Sequence, residues 1–134
     1  MMEHSERSLY GELASCCLRF RVDEQTSRKF QASADFEFPA SYIGFDGHFP
    51  GRPVLPAIVQ LAMVRYLSEG VLGIPLVPLS WSKTKFRGMV QPGERVVVSI
   101  DLDEKERGWD GTFTLKRAEE ELVATGFVYF LVTE

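Results

Sequence analysis

The chain has 134 residues, 45% of them hydrophobic and 25% charged, with a net charge of −4. That length predicts one domain with a real core and little surface for a second module. The acidic balance argues against a general nucleic-acid binder, and no apolar run approaches the ~18 residues of a membrane span.

Residues 1–9 are polar and read as a loose N-terminal arm without the apolar core of a signal peptide. Over 14–22, Ala14, Cys16, Leu18, Phe20 and Val22 alternate with Ser15, Cys17, Arg19 and Arg21, which predicts a half-buried strand. The adjacent Cys16 and Cys17 are poorly placed to bridge, since a disulfide wants Cα atoms ~5.5 Å apart, and their spacing suits neither zinc nor redox chemistry. They read as reduced residues of a cytoplasmic protein. A polar turn over 23–29 leads to a second alternation. Phe30, Ala32, Ala34, Phe36 and Phe38 face one way, and Gln31, Ser33, Asp35 and Glu37 the other. The two strands are expected to pair as a hairpin.

Seven Pro and Gly residues fall between Pro39 and Pro56, so no regular element is expected there. Within this stretch lies Gly47-His48-Phe49-Pro50-Gly51-Arg52-Pro53-Val54-Leu55-Pro56. Residues 56–69 then run without internal Pro or Gly and are apolar nearly all round, which predicts a buried helix ~21 Å long. Pro56 suits its first turn and Gly70 the position just past its end.

After a connection over 70–78, residues 79–87 read as a strand, with Ser82, Thr84 and Phe86 on one side and Trp81, Lys83, Lys85 and Arg87 on the other. Gln91-Pro92-Gly93-Glu94 is a turn. Val96, Val98, Ile100 and Leu102 alternate with Val97, Ser99, Asp101 and Asp103, and Trp109, Gly111, Phe113 and Leu115 alternate with polar neighbours. Residues 118–121 turn the chain again. A last strand over 122–132 is apolar on both faces and therefore central. One antiparallel sheet of about six strands with one apolar helix has a simple solution, in which the sheet curls around the helix. The open edges of such a sheet predict a dimer joined through the sheets.

The Gly47–Pro56 block followed by a buried helix resembles the β-hydroxyacyl-acyl-carrier-protein dehydratases of the hotdog fold, the FabA/FabZ type, near the branch linked to aryl-polyene pathways. Lys85-Phe86 and Pro92-Gly93 match a second family signature, and the resemblance spans residues 22–130. It implies an α+β hotdog domain over the whole chain, and dehydration of a 3-hydroxyacyl thioester on acyl carrier protein or coenzyme A. It also implies a site at a dimer interface. His48 would be the base, which an imidazole with a pKa of about 6.5 can be near neutrality. Pro56 offers no N–H and Leu55 no capping side chain, so free N–H groups starting at Ala57 would polarise the thioester carbonyl. Family members usually have Gly where this chain has Ala57. The implied substrate-binding set is Gly47, Phe49, Pro56, Ala57, Leu61, Ala62 and Phe86. Phe30, Phe36, Phe86, Phe113 and Phe127 are candidates for an acyl tunnel or for plain core.

One residue departs from the pattern. The family carries Glu or Asp on the helix fourteen positions after the histidine, and here that position is Ala62. Gln60 is a poor acid about 200° around the helix, Arg65 is a cation, and Glu69 lies about 10 Å further along the axis. Asp46 could orient His48 but suits a loop turn. Three readings follow: a dehydratase with another acid, a non-catalytic thioester binder or heterodimer partner of an acid-bearing paralogue, or a hotdog thioesterase. A basic face of Arg52, Lys83, Lys85 and Arg87 would meet an acidic carrier protein, or is simply solvated. No metal or organic cofactor is expected, because no phosphate loop, nucleophile elbow or metal-ligand spacing occurs.

Overall fold

The computed structural model describes residues 10–45, 54–117 and 120–132. In chain order it comprises a single helical turn α1 (Leu13–Cys16), strands β1 (Cys17–Gln25) and β2 (Lys29–Glu37), a 3₁₀ turn (Ile43–Phe45) and the long helix α2 (Ala57–Leu72). Strands β3 (Leu76–Phe86), β4 (Arg95–Glu104), β5 (Gly108–Arg117) and β6 (Leu122–Val132) follow. All six strands form one antiparallel sheet in the order β1-β2-β4-β5-β6-β3. Helix α2 packs on one face of it, against β2, β3 and β4. This is the sheet-around-helix arrangement expected from the pattern, and β6 is an interior strand as its two apolar faces required.

The core follows from strand register. Ala32, Ala34 and Phe36 of β2 lie opposite Ile100, Val98 and Val96 of β4, and all six are buried. Helix α2 closes this layer with Val59, Met63, Val64 and Leu67, which recur at helical spacing and are fully buried. The expectation of a helix enclosed all round is corrected here. The sheet covers only one side, and Ile58 on the other is 66% exposed.

Three boundaries also differ from the alternation. Leu13 and Cys16 are buried three residues apart, a helical spacing, so the chain forms α1 before β1 begins. Ser33 and Asp35, expected to face water, are buried beside β1. Arg21 covers them, with Nε donating to Ser33 Oγ at 3.1 Å and Nη2 to Asp35 Oδ1 at 3.1 Å. Helix α2 runs through Gly70 and stops at Gly73, whose left-handed φ of 70° directs its N–H to the Glu69 carbonyl at 2.8 Å. Gly70 is not a terminator but a contact: a Cβ there would stand 2.9 Å from the Phe20 ring.

Edge strand β3 begins three residues earlier than the pattern predicts and accommodates Pro78, as an edge can. A bulge between Ser82 and Lys85 resets its alternation. Trp81 therefore faces inward, ring to ring with Phe113, while Lys83 stands over the outward ring of Phe127.

Candidate functional site

The site centres on the N-terminal end of α2. Leu55 N donates to the Val90 carbonyl at 2.8 Å, which fixes the chain just before the helix to the segment after β3. Pro56 then occupies the N-cap in an extended conformation, with no side-chain cap. Its carbonyl accepts from Val59 N at 3.0 Å and Gln60 N at 3.2 Å. The N–H groups of Ala57 and Ile58 have no acceptor among the described residues. They are donors at the positive end of a sixteen-residue helix, and Ala57 is exposed.

The side of α2 that the sheet leaves open carries Ile58, Leu61, Ala62 and Arg65. Together with Tyr10, Pro78 and Trp81 they line a cavity of ≈ 410 Å³. Ala62 thus lies in a largely apolar groove, and Leu61 beside it is half-buried. Of the residues predicted from sequence, the structure brings Pro56, Ala57, Leu61 and Ala62 together on one end of one helix. Phe86 is exposed at the end of β3. Gly47, His48, Phe49 and Arg52 lie outside the described residues, as do Asp46 and the 1–9 arm. Lys83 and Lys85 lie outward around the β3 bulge, and Arg87 falls beyond the strand, its N–H on the Val123 carbonyl at 2.7 Å. Phe36 and Phe113 are core, Phe30 is half-buried against Trp109, and Phe127 is exposed, so these rings do not line one tunnel.

Glu69 is fully engaged elsewhere. It accepts from Tyr10 Oη at 2.5 Å, Leu76 N at 2.8 Å and Arg65 Nε at 3.2 Å. Burial would raise its pKa, but these donors and the Arg65 charge outweigh it and hold the carboxyl below its ordinary range. The Tyr10 hydroxyl is pushed upward, by burial first and by Glu69 second. Arg65 stacks its guanidinium 4.5 Å over the Tyr10 ring. A carboxylate so bound anchors β3 to the helix and cannot serve as a loose acid for position 62.

Sequence reasoning discounted Gln60 as an acid and passed over Tyr10. Gln60 is buried with its side-chain oxygen unpaired. The available signal was a polar residue within the sheet-facing stripe of α2. Tyr10 carried none, because its partner lies 59 residues away.

Residues 22–127 match the family model described as ApeI dehydratase, ApeI-like. The chain belongs to the ApeI-like dehydratase family. Among curated relatives, the 3-hydroxyacyl-[acyl-carrier-protein] dehydratase FabZ of Thermus thermophilus is 31% identical over 96 residues, covering 66% of each chain. The FabZ of Caldanaerobacter subterraneus is 26% identical over 100 residues, covering 67% of this chain and 69% of the relative. Among solved structures, the dehydratase heterocomplex ApeI:P from Xenorhabdus doucetiae aligns with a TM-score of 0.70 at 23% identity, covering 86% of this chain and 96% of that one. A hypothetical thioesterase with coenzyme A from Streptococcus pneumoniae aligns with a TM-score of 0.64 at 10% identity, covering 96% of each. Both structural likenesses are of fold, and the hotdog architecture is common to them. As an ApeI-like chain, this protein has its uncapped helix end inside the matched region, and Ala62 with it.

Proposed function

We propose that this ApeI-like chain handles 3-hydroxyacyl thioesters on acyl carrier protein or coenzyme A in the cytoplasm, and catalyses their reversible dehydration with His48 as the base. The observation that carries the reading is the uncapped N-terminus of α2, directly after the Gly47–Pro56 block. A thioester carbonyl placed there would accept from Ala57 N–H while His48 removes the α-proton, so charge building on oxygen meets donors already oriented. The proton for the departing hydroxyl comes from a group other than residue 62, because a methyl side chain has none to give.

The test is hydration of a crotonyl thioester on carrier protein, the reverse of dehydration. The wild type hydrates it, and His48→Ala loses ~10²–10⁴ in rate. Equal rates in the two proteins would end the enzyme reading.

Ala62 on the open face of α2 favours a second reading, in which the chain binds the thioester and an associated acid-bearing chain completes the reaction. The ApeI:P structure, of related fold, is described as a dehydratase heterocomplex. The open edges β1 and β3 and the exposed Ile58 leave room for a like or unlike subunit. Ala62→Glu separates the two readings. A large gain of activity in that variant alone indicates a site complete except for its acid, whereas a fast wild type dismisses the binding-only account.

A further inference from the structure

Among the described residues, two buried side-chain oxygens have no hydrogen-bond partner: Gln60 Oε1 and Thr84 Oγ1. Gln60 is 3% exposed and sits in the sheet-facing stripe of α2, next to the wholly buried Val59, Met63 and Val64. A polar atom stranded there forfeits its hydration without recompense, and Met or Leu would fill the same space without that cost. Its direction follows from helix geometry. Long side chains lie back over the turn N-terminal to their own Cα, which for Gln60 is the turn bearing the N–H groups of Ala57 and Ile58, without acceptors among the described residues.

The other unpaired oxygen, that of Thr84, lies on β3. Strand β3 leaves the C-terminal turn of α2 at Leu76, held there by Glu69, and runs back antiparallel to the helix. The Thr84 hydroxyl faces inward, 3.0 Å from where a Cβ on Gly126 would stand. Among the described residues, the first turn of α2 thus carries two backbone donors without an acceptor and, at Gln60, an amide oxygen without a donor. The complementary ligand carries both a carbonyl and a hydroxyl.

We propose that Gln60 is a ligand-binding residue whose side-chain carbonyl accepts a hydrogen bond from the hydroxyl of a 3-hydroxyacyl thioester held at the N-terminal end of α2. This rests on the thioester reading above and assigns the group that distinguishes hydroxylated from plain acyl chains. An amide oxygen holds a hydroxyl but cannot protonate it as it leaves. Gln60 therefore contributes recognition and orientation, and because position 62 lies about 200° around the helix, a large gain of activity in Ala62→Glu would place the hydroxyl there and overturn this assignment.

The test uses the intact chain and two probes, the coenzyme A thioesters of 3-hydroxybutyrate and of butyrate, titrated calorimetrically into wild type, Gln60→Met and Gln60→Leu. Thermal midpoints are recorded for all three. Wild type is expected to prefer the hydroxylated probe by about tenfold, the size of one net hydrogen bond. Both variants should lose that preference, keep the butyryl affinity, and melt no lower than wild type. A preference that survives in either folded variant overturns the proposal, as does a lowered midpoint with unchanged preference, which marks a structural amide bonded to buried water. Should both variants fail to fold, Gln60 is a structural residue and the proposal falls. Equal affinity of the two probes for wild type overturns it while leaving thioester binding intact. Failure of wild type to bind either probe sinks the thioester reading itself.

Discussion

The two ends of α2 are finished in opposite ways. At the C-terminal end, Gly73 returns its N–H to the Glu69 carbonyl, and the Glu69 carboxylate collects Tyr10, Arg65 and Leu76. At the N-terminal end the cap is Pro56, which has no capping side chain, and the Gln60 oxygen is buried without a partner among the described residues. The same helix, under the same sheet, is tied down at one end and left open at the other. Unpaired polar groups lower stability, so a chain keeps them where a ligand supplies the missing partner. Stability is accordingly expected to respond to changes at the Glu69 end, and binding to changes at the Pro56 end.

The largest stability effect should come from Glu69→Gln. Neutralising the carboxylate weakens its bonds with Tyr10, Leu76 and Arg65 together, a loss on the order of 2 kcal/mol at neutral pH in urea unfolding. The sign with pH follows from the lowered folded-state pKa. The contribution is present above the ordinary carboxyl value of 4.5 and is lost as pH falls through the lower folded value. The gap between wild type and variant should therefore close on acidification below 4.5. A gap independent of pH would show that the carboxylate charge is not what ties β3 to the helix. Gly73→Ala comes next. Nothing lies within 4 Å of a Cβ there, so only the φ of +70° resists the substitution, at a cost of about 1 kcal/mol. Neither change should alter thioester affinity.

Much of this contrast was legible before the structure, and where it was not the reasons are local. β2, β4 and β5 follow from strict alternation, because a sheet with one face on a helix imposes a period of two. α1 did not, since Leu13 and Cys16 also satisfy part of an alternating reading over a span of four residues. The burial of Ser33 and Asp35 depends on Arg21 crossing from the neighbouring strand, and register between strands is not written in either one alone. The bulge at Ser82–Lys85 likewise shows only in pairing with β6. Within the site, the missing cap at Pro56 and the methyl at Ala62 were plain, because both are properties of single positions. The engagement of Glu69 was hidden, because Tyr10 comes to it from the start of the chain.

Pro56→Ser addresses the open end and should have the smallest effect on stability. A serine at the N-cap can accept from Ile58 or Val59 N–H, a gain of roughly 1 kcal/mol in ordinary helices. Losing proline frees the unfolded chain by about 0.4–1 kcal/mol, which offsets that gain. The two nearly cancel, so the unfolding midpoint should scarcely move. Binding should not be spared. When the serine hydroxyl accepts from Ile58 N–H, only Ala57 N–H is left to a thioester carbonyl at this end, so affinity for an acyl thioester should fall severalfold in the same protein whose stability is unchanged. A variant that binds as tightly as wild type would mean that Ile58 N–H takes no part in holding the carbonyl and that Ala57 N–H alone could serve there.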